Sequence, residues 1–195
     1  MTEIVFATNN ANKLKEAKSL LKKVGISVIS LSDLNINVSI PEDFDTLEEN
    51  ALQKARFICE KTGKNAMSDD TGLEVDALNG APGVYSARYA GVHGNSADNI
   101  KKLLEEMSGI SNRKARFRTV IAVIWNGKEY LFEGIVNGVI ASRPQGEKGF
   151  GYDPVFIPEG YSKTFAEISM EEKNTISHRG KALSKMIRFF EQMKN

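Results

Sequence analysis

Four short segments are polar where a folded core would not require it, and their residue types could do chemistry. The first is TNNANK at residues 8–13, between a strand-like apolar segment and an amphipathic segment. A turn before a helix presents backbone N–H groups at the positive end of the helix dipole, and Lys13 adds a full charge, so the turn could bind a polyphosphate. The glycines of a Walker motif are absent. Taken alone, the segment favours a simple helix cap by Asn10 or Asn12.

A pair of adjacent carboxylates, Asp69 and Asp70 in SDDTGL (residues 68–73), forms the second segment. Residues 66–68 predict a short strand that runs into them, and a carboxylate at a strand end could be a hard-cation ligand or a general base. In extended backbone adjacent side chains leave on opposite faces, so we expect one carboxylate to face a cleft and the other to anchor a turn. An Asx turn closed by Gly72 explains the local sequence equally well.

The third segment is an acidic loop, IPEDFD at residues 40–45. Asp45 and Glu49 suit a helix N-terminus through the helix dipole alone. Glu42 lies outside the first helical turn and is the freer candidate ligand, although by itself it would be read as a solvated loop charge.

The fourth segment has two pieces, KGFGYDP at residues 148–154 and EKNTISHR at residues 172–179. Aromatic residues among glycines suit the close approach of a flat base. Lys173, His178 and Arg179 supply donors for a phosphate or a base edge. The structural alternatives are that Phe150 is a core residue, Lys173 a surface charge and His178 a structural histidine.

Composition excludes several classes of function. The 195 residues carry 26 Lys and Arg against 25 Asp and Glu, so no global field attracts nucleic acid or an anionic membrane. Two histidines and one cysteine do not complete a usual closed zinc site. The longest apolar run, residues 120–125, is far shorter than the roughly 20 residues of a membrane span. We expect a cytoplasmic protein that binds no nucleic acid and no membrane.

The elements that must position these segments alternate in type. Apolar residues recur at helical spacing after the first strand and stop at Gly25, and Thr46 with Glu49 forms a capping box before a second helix. Asn126-Gly127 between two strand-like segments predicts a hairpin. The pattern predicts a single α/β domain over residues 1–195, with a mixed sheet flanked by helices.

Taken together, six blocks in order resemble the inosine triphosphate pyrophosphatase family. They lie at residues 8–13, 46–54 (TLEENALQK), 68–73 (SDDTGL), 80–91 (GAPGVYSARYAG), 150–153 (FGYD) and 172–179 (EKNTISHR). The resemblance implies an elongated mixed α/β fold of two lobes with the active site in the cleft between them, usually in a homodimer. It also implies Mg²⁺-dependent hydrolysis of ITP, dITP and XTP between the α- and β-phosphates.

The resemblance assigns roles to residues by position. Glu42 and Asp70 would hold the metal, and Asp70 would also activate the attacking water. The residues implied to bind substrate are Thr8, Asn9, Asn10, Ala11, Asn12, Lys13, Lys54, Thr71, Phe150, Gly151, Tyr152, Asp153, Lys173, His178 and Arg179. Among these, Lys54 and Lys173 would neutralise phosphate charge, residues 150–153 would hold the base and sugar, and His178 with Arg179 would read the base.

Two positions depart from the family pattern. Asn9 stands where many members have glycine, and asparagine tolerates left-handed backbone better than most residues. Pro41 stands where many bacterial members have a second acidic residue.

Two other functions remain alternatives: a nucleotide sensor without turnover, and a pyrophosphatase for modified pyrimidine triphosphates.

Overall fold

A seven-stranded mixed β-sheet and five α-helices make up the fold in the computed structural model, which describes residues 2–193. The strands are β1 (Thr2–Phe6), β2 (Ile26–Ile29), β3 (Ala66–Val75), β4 (Pro82–Gly83), β5 (Lys114–Trp125), β6 (Lys128–Ile140) and β7 (Phe156–Pro158). The helices are α1 (Ala11–Leu21), α2 (Leu47–Thr62), α3 (Ser96–Glu106), α4 (Met170–Ile176) and α5 (His178–Gln192). The predicted α/β class with a mixed sheet is confirmed.

The sheet combines parallel and antiparallel pairing. Its order is β2-β1-β3-β5-β6-β7, and β4 pairs with β3. Strand β1 runs parallel to both β2 and β3, whereas β4 is antiparallel to β3 and β7 is antiparallel to β6. Asn126 and Gly127 join the neighbouring strands β5 and β6 with φ values of 50° and 74°, the positive φ that a two-residue hairpin turn requires.

The chain divides into two units. The first comprises the described residues up to Asp70, Thr119–Gly134 and those from Lys181 onward, and the second comprises Thr71–Arg118 and Ile135–Gly180. Strands β3, β5 and β6 each contain residues of both units. A single functional domain over residues 1–195 stays a prediction, and Met1, Lys194 and Asn195 lie outside the described residues.

Each unit has its own apolar core. The core of the first unit includes Ile4, Phe6, Leu21, Met67, Ile121 and Phe190, to which helices α1 and α5 contribute their apolar faces. The core of the second unit includes Leu73, Leu103, Phe117, Phe156 and Phe165. Among the described residues, none of the helices combines the length and apolarity needed to cross a membrane.

The predicted capping box at Thr46 and the predicted glycine stop at Gly25 are both confirmed. The Thr46 side chain accepts a hydrogen bond from the Glu49 backbone N–H at the start of α2, which ends at Gly63 with φ of 65°. Gly25, with φ of 73°, follows the 3₁₀ turn at the end of α1. Each glycine supplies the left-handed backbone that commonly ends a helix.

Strand β3 is longer than the sequence indicates. It continues through SDDTGL to Val75, so the expectation of a short strand ending before Asp69, with an Asx turn at Gly72, is wrong. The physical reason is the pairing of Leu73 and Glu74 with β4, which extends the strand beyond its polar middle. Gly72 serves this pairing, because a Cβ there would lie 2.7 Å from the Gly83 carbonyl oxygen.

Candidate functional site

The TNNANK turn connects β1 to α1 and ends in a formed helix cap. The Asn10 side-chain oxygen accepts hydrogen bonds from the backbone N–H groups of Asn12 at 3.0 Å and Lys13 at 3.2 Å. The Asn10 N–H in turn donates to the Thr8 hydroxyl at 3.1 Å. The capping interpretation is therefore confirmed, and the cap holds the Lys13 backbone in the first turn of the helix.

Asn9, which stands where many family members have glycine, does not adopt a left-handed backbone conformation. Within residues 2–193, the non-glycine residues with positive φ are Asn35, Asn79 and Asn126. The turn therefore forms with Asn9 in the ordinary half of φ space, and glycine is not required there. Asn9 is exposed, and its binding role stays a prediction.

The two adjacent carboxylates of β3 have different lysine partners, as the alternation of side chains along a strand requires. Asp69 is 2% exposed and accepts a hydrogen bond from the Lys13 ammonium at 3.0 Å. Asp70 is 9% exposed and accepts one from the Lys54 ammonium at 3.0 Å. The expectation that one carboxylate anchors a turn is wrong, since both belong to the continuous strand.

Lys54 joins two candidate metal ligands. Its ammonium group also donates to Glu42, on the acidic loop before α2, so Glu42 and Asp70 share one buried cation. Both carboxylates therefore converge on the same point although they lie 28 positions apart in the sequence. Glu42 is more than the solvated loop charge that its local sequence favours.

The charges of this cluster shift its pKa values. Burial of the Lys54 ammonium opposes its charge, but attraction to Asp70, Glu42 and Asp69 outweighs burial and raises the pKa of Lys54. Burial raises the pKa of Asp70, and the Glu42 charge adds to this, while Lys54 and Lys13 oppose it. A carboxylate with a raised pKa is the stronger base, which suits proton transfer from water.

The donor set fits Mg²⁺ bound through two carboxylates rather than a closed cage of protein ligands. Within the described part of the chain, no group of three or more His, Cys, Asp or Glu side chains could hold a metal ion. Mg²⁺ is commonly bound by one or two carboxylates, with waters and substrate phosphates completing its ligands. Glu42 and Asp70, brought together by Lys54, match that requirement.

A second candidate group lies in the other unit, around Phe150. Asp153 is 3% exposed, and its Oδ2 atom accepts hydrogen bonds from the Lys173 ammonium at 2.6 Å and the Phe150 N–H at 2.8 Å. The same ammonium lies 4.8 Å from the centre of the Phe150 ring. Lys173 is 5% exposed, so the surface-charge alternative is wrong.

Arg179 also faces the Phe150 ring. Its guanidinium carbon lies 5.4 Å from the ring centre, and its Nη2 atom donates to the Thr71 hydroxyl at 3.3 Å. The neighbouring His178 is buried and stacks on Phe117, with ring centres 4.5 Å apart. That packing is what the structural interpretation of the histidine predicts, and base reading by His178 stays a prediction.

The FGYD segment presents its side chains to different surroundings. Phe150 and Gly151 are partly exposed, whereas Tyr152 is 4% exposed and its hydroxyl donates to the Ser86 carbonyl at 2.9 Å. Gly149, just before the segment, must lack a side chain, because a Cβ would lie 2.0 Å from Asp153 Oδ2. Of the two rings that the sequence offered, the half-buried one suited to stacking is Phe150.

Two residues of the site were missed by the sequence interpretation. Asn50 and Gln53 of α2 bond to the acidic loop that carries Glu42. Both lie in TLEENALQK, from which only Lys54 was selected. The sequence did contain a signal for them. Asn50 lies three residues before Gln53 and four before Lys54, so all three share one face of the helix.

Comparison with known proteins places this chain in a family. Residues 4–189 match the sequence pattern of the Ham1 family. A dITP/XTP pyrophosphatase from Flavobacterium johnsoniae is 51% identical over 185 residues, which cover 95% of this chain and 96% of that protein.

Solved structures agree with this match. A HAM1 protein from Coxiella burnetii superimposes with a TM-score of 0.91 at 41% identity and covers 98% of this chain and 100% of its own. The Staphylococcus aureus Ham1 protein does so with a TM-score of 0.89 at 40% identity and the same coverage. The resemblance found in the sequence is confirmed: the chain belongs to the Ham1 family.

Proposed function

We propose that this chain hydrolyses dITP, XTP and ITP between the α- and β-phosphates, releasing a nucleoside monophosphate and pyrophosphate. The observation that carries the proposal is the cluster in which Lys54 holds Glu42 and Asp70 together. The similarity of the chain to a dITP/XTP pyrophosphatase, over 95% of its length, supports the same reaction.

The phosphates are assigned to the first unit. A triphosphate carries about four negative charges near neutral pH, which repel an attacking water until cations neutralise them. Lys13 and Lys54 supply positive charge, and the N-terminus of α1 adds its dipole. The binding role of residues 8–13 rests on this charge and on the resemblance.

Asp70 is assigned as the general base. It takes a proton from the attacking water, the new P–O bond forms, and the bond between the α- and β-phosphates breaks with pyrophosphate as the leaving group. Its raised pKa supports this role. Lys54, bonded to Asp70, orients the carboxylate and limits its rotation.

Glu42 and Asp70 are the residues that would hold Mg²⁺. When bound, the ion would supply positive charge to the phosphate oxygens and lower the barrier to attack. Lys54 contacts both carboxylates, so cation binding would compete with or displace its ammonium group.

The base is assigned to the second unit. Phe150 offers a partly exposed ring for stacking, while Arg179 supplies donors for a 6-oxo group. An adenine 6-amino group would leave such donors unpaired, at about 1 to 3 kcal/mol for each buried group. Lys173 lies against the same ring, which favours a role for it at the base as well as the phosphate role assigned by resemblance.

A panel assay tests the proposal directly. Pyrophosphate release is measured from ITP, XTP, GTP, ATP and a modified pyrimidine triphosphate, with and without Mg²⁺. We expect release from ITP and XTP that requires Mg²⁺ and is much slower from ATP. Intact triphosphate after prolonged incubation would identify a sensor, and a preference for the pyrimidine would identify the other alternative.

Three further expectations belong with this proposal. The elongated shape with a cleft between two lobes, and the homodimer, follow from the resemblance, and the cytoplasmic location follows from the sequence. Light scattering tests the dimer, since a monomer mass that is independent of concentration would contradict it.

A further inference from the structure

Helix α2 carries three polar side chains on one face, and all three bond to the acidic loop that precedes the helix. They are Asn50, Gln53 and Lys54, at spacings of three and four residues from the first. Of the three, Lys54 alone takes part in the proposed reaction. The other two pair with consecutive residues of the loop.

Asn50 grips the loop backbone at Phe44 from both sides. The Phe44 N–H donates to Asn50 Oδ1 at 2.9 Å, and Asn50 Nδ2 donates to the Phe44 carbonyl at 2.9 Å. The side-chain amide thus pairs with a backbone residue as a neighbouring strand would. Asn50 is 1% exposed, so both bonds are held in a fixed, largely dry position.

The next two loop residues toward the N-terminus also bond to side chains of the helix. The Asp43 N–H donates to Gln53 Oε1 at 3.0 Å, and Gln53 Nε2 donates to the Asp43 carboxylate at 2.6 Å. Glu42 follows, bonded to Lys54. Loop residues 44, 43 and 42 therefore pair in order with helix residues 50, 53 and 54.

These contacts differ in what they fix. The lysine side chain is long and flexible, so its bond to Glu42 does not define where the loop backbone lies. Asn50 instead binds the backbone of Phe44. Phe44 is two residues from Glu42, and two residues of chain span at most about 7 Å. Asn50 therefore supplies the buried part of the backbone anchor from which the Glu42 side chain starts, and Gln53 adds a more exposed bond at Asp43.

We propose that Asn50 is a positioning residue for Glu42, with Gln53 in a supporting role, and that it keeps this carboxylate beside Asp70 for a divalent cation. The inference rests on the proposed function, because it assumes that the two carboxylates hold the ion. Residues behind metal ligands commonly change metal affinity about 10- to 100-fold when they are removed.

The test measures metal binding without turnover. Mn²⁺ binding to Asn50→Ala and to the wild-type chain is followed by electron paramagnetic resonance with pyrophosphate present. We expect Asn50→Ala to bind Mn²⁺ about tenfold or more weakly. Its Mg²⁺ concentration for half-maximal ITP hydrolysis should rise in parallel.

Asn99→Ala is the matched control. Asn99 is also a buried asparagine on a helix that grips a loop backbone, accepting from the Ala90 N–H at 2.7 Å and donating to the Ser86 carbonyl at 3.3 Å. It lies in the second unit. We expect a comparable loss of stability with unchanged Mn²⁺ affinity.

Gln53→Ala keeps the proposal testable if Asn50→Ala folds poorly. Gln53 is only partly buried, so its variant should fold and show a smaller weakening of Mn²⁺ binding in the same direction. Unchanged Mn²⁺ affinity in both folded variants, or equal weakening in Asn99→Ala, would overturn the positioning role. A wild-type chain that binds no Mn²⁺ would instead overturn the assignment of Glu42 and Asp70 as ligands.

Discussion

A single buried ammonium group organises the chemistry at the scale of residues. Lys54 is 5% exposed and contacts the carboxylates of both Glu42 and Asp70. Two carboxylates brought this close would repel each other without the shared cation. Lys54 thus stabilises the close approach of the two carboxylates that are proposed to hold a metal ion.

Asp70→Asn tests the general base. The amide keeps the shape of the carboxylate but does not accept the proton from water, so we expect a folded variant whose kcat falls at least about a hundredfold. Asp69→Asn is the comparison, since Asp69 leaves the other face of β3 toward Lys13. It should retain far more turnover. Full activity in Asp70→Asn, measured as pyrophosphate release, would exclude the role.

The pH dependence of the reaction tests the charge cluster. Asp70 acts as a base only when ionised, so activity should be lost as pH falls through its raised pKa. Lys54 lowers the pKa of Asp70, so Lys54→Met should raise that pKa further and move the acid limb of kcat/KM to higher pH. Lys54→Arg keeps the charge and should leave the limb near its wild-type position. A limb that stays in place in Lys54→Met would contradict the coupling.

At the scale of elements, the sequence predicted those features that depend only on residues close together in the chain. The cap at Thr46, the stop at Gly25 and the Asn126-Gly127 turn were all predicted, because each depends on a few neighbouring residues. Strand β3 was predicted too short because its second half is fixed by pairing with β4, which its own polar sequence does not reveal. Helix α4 was missed as a separate element.

For the candidate site, the sequence likewise predicted individual residues but not the contacts between them. Each block pointed to its own residues, but the pairing of Glu42 with Asp70 through Lys54 depends on contacts between distant positions. The inward direction of Tyr152 likewise depends on the Ser86 carbonyl, 66 positions earlier. Residue type and spacing do not contain that information.

The corner between α4 and α5 gives a prediction at this scale. Gly180 packs against the end of α4, where a Cβ would lie 1.9 Å from the Asn174 carbonyl oxygen. Gly180→Ala should therefore force the two helices apart and disturb Lys173 and Arg179, which they carry.

We expect Gly180→Ala to lower the free energy of unfolding by about 1 to 3 kcal/mol, the usual cost of overpacking. The measurement is the urea midpoint. Ser184→Ala, on the exposed side of α5, is the control and should change stability by less than about 0.5 kcal/mol. Equal midpoints for the two variants would show that the corner tolerates a methyl group.

At the scale of the whole molecule, the net charge does not show how the charged residues are distributed. The formal total of +1 gives no long-range attraction for a polyanion. Within the first unit, however, Lys13 and Lys54 are placed beside buried carboxylates rather than dispersed. Affinity for a polyphosphate should therefore depend on where a charge lies and not on the total.

Two lysines of α1 separate placement from total charge. Lys13→Met and Lys15→Met lower the net charge equally, but Lys13 bonds to Asp69 beside the assigned phosphate site, whereas Lys15 is exposed. We expect the inhibition constant of pyrophosphate against ITP hydrolysis to rise about tenfold in Lys13→Met, as for the loss of one charge-assisted hydrogen bond. In Lys15→Met it should stay near the wild-type value. Equal increases in both variants would mean that overall charge, rather than the local cluster, attracts the phosphates.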